Sequence, residues 1–159
     1  MNPPSSPSPA AIRNPQTALY YWLPPILWMA MMFGFSTEAF SADNTGSRLL
    51  WLLQHLYPAI TVSQYETIHF LIRKMAHFIG YAFLTLLWWR AWRAASPQKW
   101  QGEWAWRSFA IIAVWALLDE WHQTFTANRT GSIYDSLLDM SGGAAALAVL
   151  WLWQNRDSA

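Results

Sequence analysis

Three clusters of polar side chains interrupt the apolar stretches of this 159-residue chain between Arg73 and Asp139. The first holds Arg73, Lys74, His77 and Tyr81, with Arg73, His77 and Tyr81 spaced i, i+4, i+8. The second holds Asp119, Glu120, His122 and Gln123, with Asp119, His122 and Gln123 spaced i, i+3, i+4. The third holds Arg129, Asp135 and Asp139, with Gly142 and Gly143 following on the face of the two aspartates. In helices these spacings put each set on one side. The chemistry on offer is acid–base work and anion binding. His77 or His122 could move a proton, with Asp119 and Glu120 as orienting or activating carboxylates. Glu120 points about 100° of helix rotation away from Asp119, so the two need not act together. Arg73, Lys74 and Arg129 could hold a phosphate or carboxylate, since guanidinium offers two parallel donors. Tyr81, Gln123, Asp135 and Asp139 complete the candidate binding set. Asp135 and Asp139 repel across one face, so one must be protonated or paired, with Arg129 and Lys74 as the partners at hand.

Other chemistries are excluded or unsupported. There is no Cys, which removes disulfides, thiolate metal sites and cysteine nucleophiles. No Gly-x-Ser-x-Gly elbow and no phosphate-cradling Gly-rich loop occurs. His77, Asp119, His122 and Asp135 could ligate a metal, but imidazole and oxygen ligands at this spacing are not diagnostic, and no metal is assigned. No cofactor is indicated. A net charge of +1 without a basic stripe argues against nucleic acid. His55 and His69 read as interfacial residues without a role.

The elements that must carry these groups are membrane helices. Of the chain, 54% is hydrophobic and 12% charged, where a soluble domain carries about 25% charged residues. Its 13 Trp suit membrane–water interfaces, where the ring is buried and its N–H stays wet. Residues 1–18 begin with a Pro/Ser-rich stretch to Gln16 and read as a disordered tail. Ala39-Phe40-Ser41-Ala42 is a poor cleavage site, so the first helix is expected in the mature protein. The domain is expected over 19–155 as an all-α bundle of four transmembrane helices, with spans at about 19–35, 76–92, 104–125 and 133–153. Leu49 to Leu56 is too short to span and reads as a short interfacial helix in the first loop. Ser63 with Glu66 reads as a capping box for the second helix, and Ser132 with Asp135 as one for the last. The small residues Ser141 to Ala146 let that last helix approach a neighbour closely, inside the monomer or in a homodimer.

Helix order brings the polar clusters to one level. His77 is 15 residues from Trp92, Asp119 is 13 from Trp106, and Asp139 is 14 from Trp153. At 1.5 Å per residue all lie roughly 20 Å from the interface those Trp mark, in a core roughly 30 Å thick. Arg13, Arg90, Arg93, Lys99, Arg107 and Arg156 fall on the Trp side, against Arg48, Arg73, Lys74 and Arg129 on the other. The positive-inside rule then puts both termini in the cytoplasm and the polar layer outward. Such a layer could equally be a buried network that only fixes helix packing.

These residues resemble the VanZ-like family, named for a teicoplanin-resistance protein. The marks are Arg73-Lys74-x-x-His77-Phe78-x-x-Tyr81, Asp119-Glu120-x-x-Gln123, Arg129-Thr130-Gly131-Ser132 with Asp135, and the pair Gly142-Gly143, in matching order across about 80 residues. Two departures are Asp139, where the family usually has Asn, and Ala127-Asn128, where it has Pro-Gly. The resemblance implies a small multi-pass protein of the bacterial cytoplasmic membrane, with an effect on teicoplanin susceptibility, and implies no particular reaction. Three functions follow as expectations. The first is recognition of an anionic lipid headgroup, such as a polyprenyl phosphate or another envelope precursor, at the outer leaflet. The second is an intramembrane hydrolase or transferase acting on a lipid phosphate through His77 and Asp119. The third is a structural or partner-binding membrane protein. A transporter is weaker, because four short helices enclose little space.

Overall fold

The computed structural model describes residues 15–36, 42–94, 100–125 and 131–156. They form five helices: α1 (Pro15–Phe35), α2 (Ala42–Leu56), α3 (Val62–Arg93), α4 (Gly102–Gln123) and α5 (Ile133–Asn155). Arg129, Thr130, Ala127-Asn128, Lys99, Ala39-Phe40-Ser41 and residues 1–14, all considered above, lie outside the described residues.

The all-helical expectation holds for the described residues, with differences that have physical causes. α1 starts at Pro15, inside the stretch read as tail. Proline suits a first helical turn, where its missing N–H would have no partner. Pro24 and Pro25 then fall mid-helix, and each removes the bond to the carbonyl four residues back, those of Tyr20 and Tyr21. The Arg90 guanidinium packs 4.7 Å from both of those tyrosine rings, which ties this weakened stretch to α3. The helix expected in the first loop is longer than its sequence suggests, since α2 begins at Ala42 and spans 15 residues. The cap of α3 is Thr61 rather than Ser63. Thr61 Oγ1 accepts from the Gln64 N–H, and the Gln64 side chain accepts from the Thr61 N–H.

Three helices are long and apolar enough to cross a membrane: α1 from Ala18, α3 and α5. α4 has the length of a span, at 22 residues, but Glu103, Arg107, Asp119 and Glu120 interrupt its apolar run. The core is narrow. Tyr81 and Leu84 of α3 meet Ile112 and Ala116 of α4, ringed by Trp28, Met32, Trp88 and Met140 among others. Large apolar side chains such as Ile79, Val114, Leu118 and Val149 face outward. That distribution fits a molecule whose solvent is lipid.

α3 and α5 pack backbone to backbone. A Cβ on Gly142 would lie 2.3 Å from the Phe78 carbonyl oxygen, and one on Gly143 would lie 2.7 Å from Thr85 Oγ1. Gly142 and Gly143 are therefore packed inside the monomer against α3 and α4, while Ser141 and Ala144 of the same small run are exposed. At the end of the bundle far from the polar clusters, Trp22 meets Trp88 and Trp92, and Trp89 stacks on Trp100. Arg93 and Arg107 lie over the rings of Trp89 and Trp92. Aromatic rings with cations are the usual dress of a helix end at a membrane interface.

Candidate functional site

The polar clusters converge where α1 and α4 end and α5 begins. Ser132 precedes α5 in extended backbone and makes no side-chain cap hydrogen bond, contrary to the capping box expected with Asp135. Its N–H donates instead to Glu120 Oε2 at 2.6 Å, so the carboxylate that stabilises this positive helix end comes from α4. Asp135 is paired with Lys74 of α3, both partly exposed. Lys74 also sits 5.2 Å from the Phe70 ring. Lys74 thus joins two helices and is committed before any ligand arrives.

One turn deeper, Asp139 is fully buried. Its Oδ1 lies 3.4 Å from His77 Nδ1. Asp119 enters from α4, and His77, Asp119 and Asp139 each offer a ligand-type atom within 4.8 Å of the other two. Gln123 fixes Asp119 from below, its Nε2 donating to Asp119 Oδ2 at 3.2 Å and to Ser36 Oγ at 3.1 Å. That amide ties the end of α1 to α4. Asp139 Oδ2 and Asp119 Oδ1 have no hydrogen-bond partner among the described residues, and neither has the hydroxyl of the fully buried Tyr81. Glu120 turns to Ser132 while Asp119 turns to Gln123 and His77, so the two neighbouring carboxylates serve different elements.

His122 stands outside that trio. Its ring packs on Phe33 of α1, 4.5 Å between centroids. Its i+3 offset from Asp119 carries it round the helix to α1, away from α5. A pairing of His122 with Asp119 and Asp135 as ligands is therefore not what the fold assembles, and Asp139 takes that place.

Beside the trio lies a cavity of about 620 Å³ walled mainly by α1 and α3, with Leu49 of α2 and Asp119 of α4. Trp28, Met32, Leu49 and Ile72 give it an apolar lining, and Arg73, His69, His77 and Asp119 give it a polar margin. Arg73 forms no salt bridge among the described residues. His69, read above as roleless, lines this cavity and stacks on Tyr65 at 5.7 Å. The signal was in the sequence, since His69 precedes Arg73, His77 and Tyr81 by successive steps of four on one helical face. The cavity itself was not visible there, because its walls come from segments far apart in the chain.

The chain matches no curated protein and no solved structure. It does match the family model described as VanZ/LLP1, over residues 21–154. That match takes in all of α2 to α4, nearly all of α5 and the part of α1 that lines the cavity, and on it the chain belongs to the VanZ/LLP1 family.

Proposed function

We propose that this protein is a multi-pass membrane protein that recognises an anionic lipid, with the lipid chain in the apolar cavity and its headgroup at Arg73. The observation that carries this reading is the guanidinium of Arg73, which forms no salt bridge among the described residues and lies on the polar margin of an otherwise apolar cavity. An aqueous metabolite has no use for such a lining, whereas a phospholipid or polyprenyl phosphate matches both parts. In this reading α4 is the fourth span, since most of its charges lie near its two ends and Asp119 and Glu120 are buried against other helices. The Trp-rich end faces the cytoplasm of a bacterial cytoplasmic membrane with both termini, and the polar site faces outward. An effect on susceptibility to a lipid-anchored glycopeptide such as teicoplanin follows if the bound lipid is an envelope precursor.

The test is lipid mass spectrometry on gently purified wild type and Arg73→Gln. Enrichment of one anionic lipid class in the wild type, lost in the variant, is expected. Equal bulk lipid in both proteins, each folded, overturns the reading.

A second reading is an enzyme acting on that lipid's phosphate. It is favoured by His77, which lines the cavity and has Asp139 at 3.4 Å from its Nδ1. A carboxylate behind an imidazole sets its tautomer and stabilises its protonated form. His77→Ala and Asp119→Asn are expected to abolish any turnover of the co-purifying lipid. Unchanged turnover in both removes these residues from the chemistry.

A further inference from the structure

We propose that His77, Asp119 and Asp139 form a binding site for a first-row divalent metal ion, zinc or manganese in type, with an open coordination position facing the cavity. Three independent features of the trio support this. The first is geometry. Three ligand atoms, one from each residue, already lie within 4.8 Å of one another. The His77 Nδ1 to Asp139 Oδ1 separation of 3.4 Å is long for a charge-assisted hydrogen bond, which closes to about 2.8 Å. It equals the ligand-to-ligand distance, about 3.4 Å, around a tetrahedral ion with bonds near 2.0–2.1 Å. Contraction of the remaining separations by an ångström or so, within the reach of side-chain rotation, completes the set.

The second feature is unmet bonding capacity. Asp139 is 0% exposed and Asp119 is 6% exposed. Asp139 Oδ2 and Asp119 Oδ1 have no hydrogen-bond partner among the described residues. Buried carboxylate oxygens without partners are costly, and inside a membrane bundle the cost rises. The third is charge. Two nearly buried carboxylates close together repel, and of the two cations of α3 nearby, Lys74 is held by Asp135 and Arg73 lies on the cavity margin. A dication held by two carboxylates and a neutral imidazole gives a neutral cluster.

The ligand chemistry narrows the ion. One imidazole with two carboxylates and no sulfur suits zinc or manganese over the hard cations that take oxygen alone. Three protein ligands with a vacancy is the pattern of sites that act on a bound molecule rather than only brace a fold. His77 and Asp119 both line the cavity, so the vacancy lies on the side where a phosphate or a water could enter. Gln123, donating to Asp119 Oδ2, is the outer partner that would hold that carboxylate in place.

This inference does not depend on the lipid reading, and its test uses metal alone. The full-length protein would be purified in phospholipid-free detergent, stripped with EDTA and titrated with Co²⁺, followed by Zn²⁺ competition and thermal melts. Visible ligand-field absorption saturating at about one ion per chain, displaced by Zn²⁺, and a Tm raised by Zn²⁺ are expected. His77→Ala and Asp139→Asn should bind at least about tenfold more weakly, since even outer-shell losses cost that much. Glu103→Gln, remote from the site, should bind as wild type does. If stripped, folded wild type gives neither absorption nor a Tm shift, the trio holds protons and not metal, and the proposal is overturned. It is equally overturned if folded variants keep the wild-type spectrum. Neither result bears on whether lipid co-purifies through Arg73.

Discussion

Two neighbouring charges on α3 have separate fates. Arg73 lines the cavity without a salt bridge among the described residues, whereas Lys74 is paired with Asp135 and braces α3 against α5. Neutralising them should therefore give different phenotypes. Lys74→Gln and Asp135→Asn should each lower stability, and a double-mutant cycle by denaturation in detergent should show coupling of about 1 kcal/mol, as expected for a partly exposed pair. Arg73→Gln should leave the melt unchanged and act on ligand binding alone. Tyr81 permits a sharper check. Its hydroxyl is buried and has no hydrogen-bond partner among the described residues, so Tyr81→Phe removes a donor that satisfies nothing. Its Tm should equal or exceed that of the wild type; a drop of several degrees would mean the hydroxyl has a partner in the folded protein.

At the scale of elements, the α3–α5 contact depends on Gly142. Gly142→Ala drives a methyl group into the Phe78 carbonyl and should destabilise the bundle by about 1–3 kcal/mol, as overpacking does. Gly34→Ala, whose added carbon meets no atom of another element within 4 Å among the described residues, should be neutral or slightly stabilising. Thermal melts of the two variants side by side separate close packing from simple helix propensity. The Glu120 bond to the Ser132 N–H makes a related claim, that α5 is started by a carboxylate from α4. Glu120→Ala should cost about 1 kcal/mol, the worth of a helix cap, read as a lower Tm. These contacts also show what a sequence can carry. The helices were legible because apolar runs of this length have few alternatives in lipid, and the convergence of His77, Asp119 and Asp139 followed from their depth along three such helices. The caps were not legible. Thr61 and Ser63 are equally good cap residues by type, and only the path of the chain out of the α2 turn selects Thr61. Nor could spacing alone reveal that His122 packs on Phe33, because its i+3 step from Asp119 suits either of two neighbouring helices.

The whole molecule presents apolar side chains outward along its length and concentrates Trp and Arg at the end opposite the polar site. With no native cysteine in the sequence, single-cysteine variants can map its orientation directly. A cysteine at Gln101, on the Trp-rich end, is expected to resist a membrane-impermeant maleimide in whole cells. One at Tyr57, between α2 and α3, should react. The reverse pattern would turn the molecule over and place the polar site at the cytoplasmic leaflet. The cavity between α1 and α3 bears on how such a site fills. Several of its lining side chains, including Met31, Phe35, Ile72 and Ile79, are exposed on the flank of the bundle. A molecule entering by that flank arrives from within the bilayer, already dissolved and concentrated there. Its mole fraction among the surrounding lipids, and not its concentration in water, is then the variable that sets occupancy. Binding curves collected at different lipid-to-protein ratios should superimpose on that axis and on no other.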